Sequence, residues 1–311
     1  MAYLLKKEEF PYFIEHLISK ARVVAPVMDK KDLMSRFTVL KKGEGSKVVF
    51  DTPLYPAKDF FLRSGEKLYG FKEDKISPVV PKSEKTIFLM NRCDINGVHR
   101  NDLILLGEPA DPHYKAKREC AILIEIPCRP ADRCSCVNID LIDCHDLQII
   151  DKGASFILHP ATKKGEGLLK GLDLKETEYS RPIIPKYKPK EVKTDNKEVW
   201  EKYTKECFSC SACTVVCPTC VCFTIEGHLN IDCKSGHKYR KWASCQLEEF
   251  TKVAGNHVFR KDRGARGKQR IHCKFIYFYE KFGYPRCVGC GRCNEACPVG
   301  INIYQYYEAL K

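Results

Sequence analysis

The sequence predicts an α+β protein: an N-terminal α/β domain followed by a mainly helical, cysteine-rich domain. Three observations predict it. Short β-branched apolar runs alternate with helical patterns over the first half. A proline-spaced basic stretch then breaks all periodicity, and beyond it one cysteine spacing occurs twice. At 311 residues the chain is long enough for two separate cores.

The first element is a helix within residues 8–24, where Phe10, Phe13, Ile14, Leu17 and Ile18 recur at helical spacing. Four runs follow that read as strands: residues 47–50, 86–90, 121–126 and 154–158, each apolar and bounded by Pro, Gly or charge. They define a domain over residues 1–175. Residues 176–198, with Pro182, Pro185 and Pro189 among lysines, read as an extended, semi-rigid linker. The second domain, 199–311, opens on a helical pattern at 198–205. Between its two cysteine motifs, residues 241–253 and 272–281 also read as helical.

Nineteen cysteines are the dominant compositional feature. No apolar run approaches the roughly 18 residues of a membrane span, and the start turns charged too early for a secretory signal. The expected location is therefore the cytoplasm, where clustered cysteines point to metal rather than disulfides. The motifs are Cys207, Cys210, Cys213, Cys217-Pro218 and Cys287, Cys290, Cys293, Cys297-Pro298. This Cys-x2-Cys-x2-Cys-x3-Cys-Pro run holds a [4Fe–4S] cubane, with the fourth cysteine typically ligating the other cluster. The expected ligands are Cys207, Cys210, Cys213 and Cys297 for one cluster, and Cys287, Cys290, Cys293 and Cys217 for the second. Structural zinc also uses four cysteines, but pairs two Cys-x2-Cys knuckles instead of repeating the full run. The 218–286 connection is longer than a compact bacterial ferredoxin needs, which favours an alpha-helical ferredoxin-like domain.

Eleven cysteines remain. Cys128, Cys134 and Cys136 crowd one Pro-containing loop, and with Cys93 they make a set of four. Two readings stand for them: a third Fe–S cluster, or free and buried thiols filling apolar positions. Cys220, Cys222, Cys233, Cys245 and Cys273 read as core packing around the clusters. His145, beside Cys144, reads as an ordinary core or surface histidine. Gly43-Glu44-Gly45 and Gly165-Glu166-Gly167 fit no nucleotide-binding fingerprint, and no residue set carries catalysis.

The formal charge of +13 favours acidic partners. Its densest segment is Arg260, Lys261, Arg263, Arg266, Lys268 and Arg270. That segment reads either as a solvated basic face or as a docking surface for an acidic protein such as a ferredoxin, through Arg263, Arg266 and Arg270. Nucleic acid ranks below both, and no membrane partner is expected.

Together these residues resemble the beta subunit of cytoplasmic sulfhydrogenases and the corresponding iron–sulfur subunit of anaerobic sulfite reductases. The matching segments are Cys217-Pro218-Thr219-Cys220-Val221-Cys222-Phe223, Trp242-Ala243-Ser244-Cys245, Phe250-Thr251 with Ala254-Gly255, His272-Cys273-Lys274-Phe275 and Cys287-Val288-Gly289-Cys290-Gly291-Arg292-Cys293. In the first half they are Arg92-Cys93-Asp94, residues 111–118 and Cys134-Ser135-Cys136. The chain departs from that family at Arg92, where proline is usual, and at Ser135, where an aromatic is usual. The resemblance implies an electron-transfer role linking two other proteins. One would be a flavin- and NAD(P)-binding subunit; the other would be a catalytic subunit of hydrogenase, sulfur/sulfite or heterodisulfide type. The alternatives are a self-contained Fe–S oxidoreductase with a substrate or flavin site in the N-terminal domain, and a zinc scaffold.

Overall fold

The computed structural model describes residues 1–139, 141–179 and 196–310. In chain order the strands are β1 (Ala2–Lys6), β2 (Arg22–Met28), β3 (Ser35–Leu40), β4 (Glu66–Lys72), β5 (Lys75–Pro78), β6 (Thr86–Met90), β7 (Ala121–Glu125), β8 (Leu147–Asp151), β9 (Ser155–Pro160), β10 (Lys175–Thr177), β11 (Phe223–Leu229) and β12 (Ser235–Trp242). The first half's helices are α1 (Phe10–Lys20), α2 (Arg92–Leu105), α3 (Pro112–Glu119) and α4 (Lys163–Leu169). The second half adds α5 (Lys197–Glu206), α6 (Ala212–Val215), α7 (Arg263–Ile271), α8 (Tyr277–Phe282), α9 (Arg292–Glu295) and α10 (Ile303–Glu308).

An eight-stranded mixed sheet, ordered β10-β1-β9-β8-β7-β6-β2-β3, forms the first half. Its centre is parallel: β2 to β6, β6 to β7 and β7 to β8. Central strands of this kind are apolar on both faces, and every residue of β6 and β7 is buried. Alternation then sorts them. Ile87, Leu89, Ile122 and Ile124 join the core under α1, where Phe10, Phe13, Ile14 and Leu17 form one helical stripe. Phe88, Met90, Ala121 and Leu123 face the opposite core with Ile95 and Val98 of α2 and Tyr114 of α3. The expected helix is thus α1, ending at Lys20, because residues 22–24 belong to β2. The runs at 86–90, 121–126 and 154–158 are strands as expected. Residues 47–50 instead make a short 3-10 turn and a single bridge, Val27 to Val48.

The second sheet corrects the sequence reading. Residues 223–242 are a β-hairpin, and it pairs with β4 to form the antiparallel order β11-β12-β4-β5. Half of this sheet therefore comes from each half of the chain. The helix expected over 241–253 does not form. Trp242 closes β12, its indole donating to Leu62 O at 2.7 Å, and Ser244 Oγ captures the Gln246 amide at 3.1 Å. Such side-chain bonds offer the backbone an alternative to helix; only single 3-10 turns follow, at Glu249–Thr251 and Ala254–Asn256. Residues 272–281 are helical as expected, through a π-turn at His272–Ile276 into α8. The linker expected at 176–198 begins inside β10, and its residues 180–195 lie outside the described residues.

Helix α2 is the seat of the second half. Arg292 at the start of α9 makes a bidentate pair with Asp94, at 2.9 and 2.7 Å, both side chains almost wholly buried. Arg100 donates to Pro285 O and Asn101 to Pro218 O. Gly97 admits Pro218 so closely that a Cβ would sit 2.8 Å from the proline ring. His145 is a core residue, its Nδ1 3.0 Å from Glu125 Oε2.

Breaking a buried pair from one side strands a charge, at a cost of about 3–5 kcal/mol. Asp94→Ala is therefore expected to lose about that much stability, while Asp94→Leu with Arg292→Met loses distinctly less. Urea midpoints of the cluster-loaded proteins check the difference.

Candidate metal centres

The two cysteine motifs fold alike. In each, a loop residue amide approaches the first cysteine's sulfur: Ser209 N to Cys207 Sγ at 3.3 Å, Gly289 N to Cys287 Sγ at 3.4 Å. In each, two residues take positive φ: Ser209 and Ser211 at 56° and 70°, Gly289 and Gly291 at 63° and 68°. One helical turn follows, α6 or α9, and the same backbone bonds close it, Cys217 N to Thr214 O and Cys297 N to Asn294 O. The repeat in sequence is a repeat in conformation.

The glycines are needed for packing as well as for φ. Residues 131–138 lie on the second motif, with Ser135 N donating to Gly289 O at 2.8 Å and Cys134 Sγ 3.7 Å from Cys290 O. A Cβ on Gly289 would meet Cys136 N at 2.5 Å, and one on Gly291 would meet Arg133 O at 2.0 Å. Serine at 209 and 211 keeps the same backbone in the first motif.

The first motif opens on a small, partly open cavity of about 30 Å³. It is lined by Cys207, Cys210 and Cys213 together with Cys297 of the other motif, and Cys293 borders it. Tyr203, Ile301 and Ile303 supply apolar walls. Cys217 in turn lies within electrostatic reach of Cys287, Cys290 and Cys293. The N-terminal cysteines also gather: Cys93 interacts with Cys128 and Cys290, and Cys136 with Cys134, Cys128 and Cys290. Cys93 stands in the first turn of α2 and the other three follow β7, at the carboxyl ends of neighbouring parallel strands, where open α/β sheets place their ligands. Among the described residues, no three His, Cys, Asp or Glu side chains converge on a position for a single ion.

Buried cations surround these sulfurs. Lys58 Nζ bonds Thr214 O at 3.0 Å, Arg270 Nη2 bonds Cys213 O at 2.7 Å and Lys274 Nζ bonds Thr219 Oγ1 at 2.8 Å. Among the described residues none of the three is ion-paired to a carboxylate. An isolated buried charge is prohibitively costly, and the groups that face these cations are sulfurs. Burial pulls the Lys58 ammonium down, and Cys220, Cys217 and Cys222 oppose it. Burial likewise acts against Lys274 and Arg270, yet Cys217 in the first case and Cys213 in the second lead the groups that hold them above their ordinary values. Four thiolates around a cubane carry the negative charge this pocket needs, so the residues fit such a group. The effect on a thiol is direct. Burial would raise Cys217, but Lys274 and Arg270 bring it down to about 6, whereas burial pushes Cys287 up to about 12.

These cations also correct the docking surface. Arg266 and Arg270 are 6% and 3% exposed and point inward. Arg266 binds Arg260 O and Lys261 O, and Arg263, though exposed, donates to Cys207 O at 3.0 Å. The basic segment packs as α7 with Gly264 against Thr204 and Gly267 against the Tyr203 ring, so Arg266 and Arg270 brace the first motif while Arg263 stays exposed. Sequence reasoning also passed over Lys58, a residue of the first half; only its distance in sequence from the cysteines hid it.

The 4Fe-4S dicluster domain family matches residues 206–301. Over 330 aligned positions, covering 99% of this chain and 97% of the relative, it is 28% identical to sulfhydrogenase 2 subunit beta of Pyrococcus furiosus. The resemblance read from the motifs thus holds: this is a chain similar to an iron–sulfur beta subunit. No solved structure matches it. No helix among the described residues is long and apolar enough to cross a membrane. The matched span runs from α5's last residue, Glu206, to Ile301, and so takes in both motifs, the hairpin and α7.

Two outcomes are expected. Gly291→Ser displaces residues 131–138 and costs about 1–3 kcal/mol by overpacking, while Ser211→Gly stays within about 0.5 kcal/mol; urea midpoints check both. In the metal-free chain, alkylation of Cys217 rises as pH passes about 6. Lys274→Met moves that inflection upward, since the thiolate loses the cation that lowers it most; a pH series read by peptide mass spectrometry measures it.

Proposed function

We propose that this chain is a non-catalytic electron-transfer protein holding two [4Fe–4S] clusters with crossed ligation. Cys207, Cys210, Cys213 and Cys297 hold the first cluster, and Cys287, Cys290, Cys293 and Cys217 the second. The observation that carries the reading is the cavity that unites three cysteines of one motif with the last cysteine of the other. Cys293 borders that cavity too, so the second cluster would sit directly beside the first, as stepwise electron transfer requires. When bound, the clusters supply one-electron redox chemistry. The chain's own residues exclude water with Tyr203, Ile301 and Ile303 and balance the clusters' charge with Lys58, Arg270 and Lys274.

Cys93, Cys128, Cys134 and Cys136 would hold a third cluster. Their mutual reach and that of Cys290 support it, and the three sites then form a row with the second cluster in the middle. Cys128 is exposed, so this end of the row meets solvent. The relative's name, a sulfhydrogenase beta subunit, supports a place in a multi-subunit complex. Its partners there would be a flavin- and NAD(P)-binding protein on one side and a catalytic oxidoreductase on the other. The cytoplasm is the compartment that suits this many reduced thiols.

Three clusters require about twelve irons per chain and two about eight, at four irons each. We expect twelve, falling to eight in Cys134→Ser with Cys136→Ser; an unchanged count in that variant removes the third cluster alone. Cys217→Ala should alter the EPR signal of the second motif's cluster and Cys297→Ala that of the first. The opposite pattern overturns the crossed ligation. The purified chain should oxidise no NADPH unaided, and efficient turnover without partners would overturn the relay.

A further inference from the structure

Behind the first motif lies a group of thiols that the clusters do not use. Cys220 and Cys222 follow Cys217 on the segment leading into β11. Cys245 comes from the turn after β12, held close by the Ala243 N to Cys222 O bond at 3.0 Å. The Cys222 side chain is hydrogen-bonded to the sulfurs of both Cys220 and Cys245, so the three form a row with Cys222 in the middle. Cys220 and Cys245 are buried, while Cys222 reaches solvent. Gln246 Nε2 donates to Cys245 Sγ at 3.5 Å. Lys58 faces Cys220 and Cys222, and Arg270 faces Cys245.

A cubane needs thiolates spread around it, and a single ion needs donors converging on one point. These sulfurs instead lie within hydrogen-bond reach in pairs, on two segments joined by the Ala243 N to Cys222 O bond, a placement from which a disulfide can form when one thiolate meets another sulfur. We propose that Cys222 and Cys245 are a redox-active dithiol–disulfide couple in electronic contact with the first motif's cluster. The inference rests on the relay reading above and deepens it, because it gives a one-electron carrier a place to hold an electron pair.

The chemistry balances. Reduction breaks the Cys222–Cys245 S–S bond, consumes two electrons and two protons, and leaves two thiols. Cys207, Cys210, Cys213 and Cys297 would hold the reductant, a reduced [4Fe–4S] centre that would supply the electrons one at a time. Cys213 would be the link, since it lies within electrostatic reach of Cys245. The protons enter from solvent at Cys222. Oxidation would reverse each step, re-forming the S–S bond, returning the electrons singly to that oxidised centre and releasing both protons. Lys58 and Arg270 stabilise the negative charge that arrives before the protons do. Disulfides of this kind in a reducing compartment are transient and redox-active rather than structural.

The test uses the cluster-loaded full chain, equilibrated without oxygen in mixtures of oxidised and reduced dithiothreitol, then acid-quenched, alkylated and digested. A cross-linked peptide joining Cys222 to Cys245 is expected at the oxidising end, replaced by two alkylated cysteines at the reducing end, with iron content unchanged throughout. In a dithionite titration the oxidised wild-type chain should take up two more electrons than Cys222→Ser, and that variant should keep its iron. Cys245→Ser provides the same comparison should Cys222→Ser not fold, and the wild-type cross-link needs no variant. Full alkylation of both cysteines at every mixture overturns the couple. So does loss of about four irons in Cys222→Ser, which would make Cys222 a cluster ligand. The thiol titration is independent of the cluster EPR signals that test the relay, so the two readings fail separately.

Discussion

The Asp94–Arg292 pair is the contact on which the rest of this structure depends. It joins the first turn of α2 to the first turn of α9, with both side chains almost out of reach of solvent. Two parallel hydrogen bonds fix the guanidinium plane as well as its position, and Arg292 Nε spends its own donor on Pro53 O. The second motif is thereby held against the carboxyl ends of β6 and β7. That is why Gly289 and Gly291 lie under the backbone of residues 131–138, and why the cysteines of the two halves come within reach of one another. Beside this anchor the halves share the hairpin's sheet, an apolar cluster that includes Cys93, Ile139, Leu141, Val288 and Tyr307, and the Arg240–Asp111 ion pair.

Charge then decides what the assembled site can hold. A protein with Lys58, Arg270 and Lys274 buried among cysteines is not compensated by its own carboxylates among the described residues. Among the described residues the sulfurs are the anionic groups that face them, and they balance these charges only when ionised. The same cations that lower Cys217 to about 6 would offset part of the negative charge of a bound cluster. Folding and cluster binding are therefore linked: removing the anionic group leaves buried positive charge uncompensated, and removing a cation leaves the sulfurs harder to ionise. The basic residues that raise the formal charge to +13 are in part this internal counter-charge rather than an external docking surface.

Much of this was legible in the chain before any coordinates. The stripe of Phe10, Phe13, Ile14 and Leu17 announced α1, and the apolar runs at 86–90 and 121–126 announced the central strands, because burial on a helix stripe or on both faces of a strand leaves a direct periodic record. The eight motif cysteines were equally plain, since short-range ligand spacing is a local property. The hairpin at 223–242 was not. Its pairing partner, β4, lies about 160 residues earlier, and a strand whose neighbour is remote carries little local record of it.

The sequence by itself determined the two cysteine loops, the positive-φ residues that shape them and the elements of the central sheet, because each rests on neighbours within a few residues. Tertiary structure decided the rest: that Cys297 shares a cavity with Cys207, Cys210 and Cys213, that Arg266 and Arg270 turn inward, and that Lys58 crosses from one half to the thiols of the other. These are contacts between residues far apart in the chain, chosen by packing and by the cost of burying charge, and neither leaves a periodic trace in the order of amino acids.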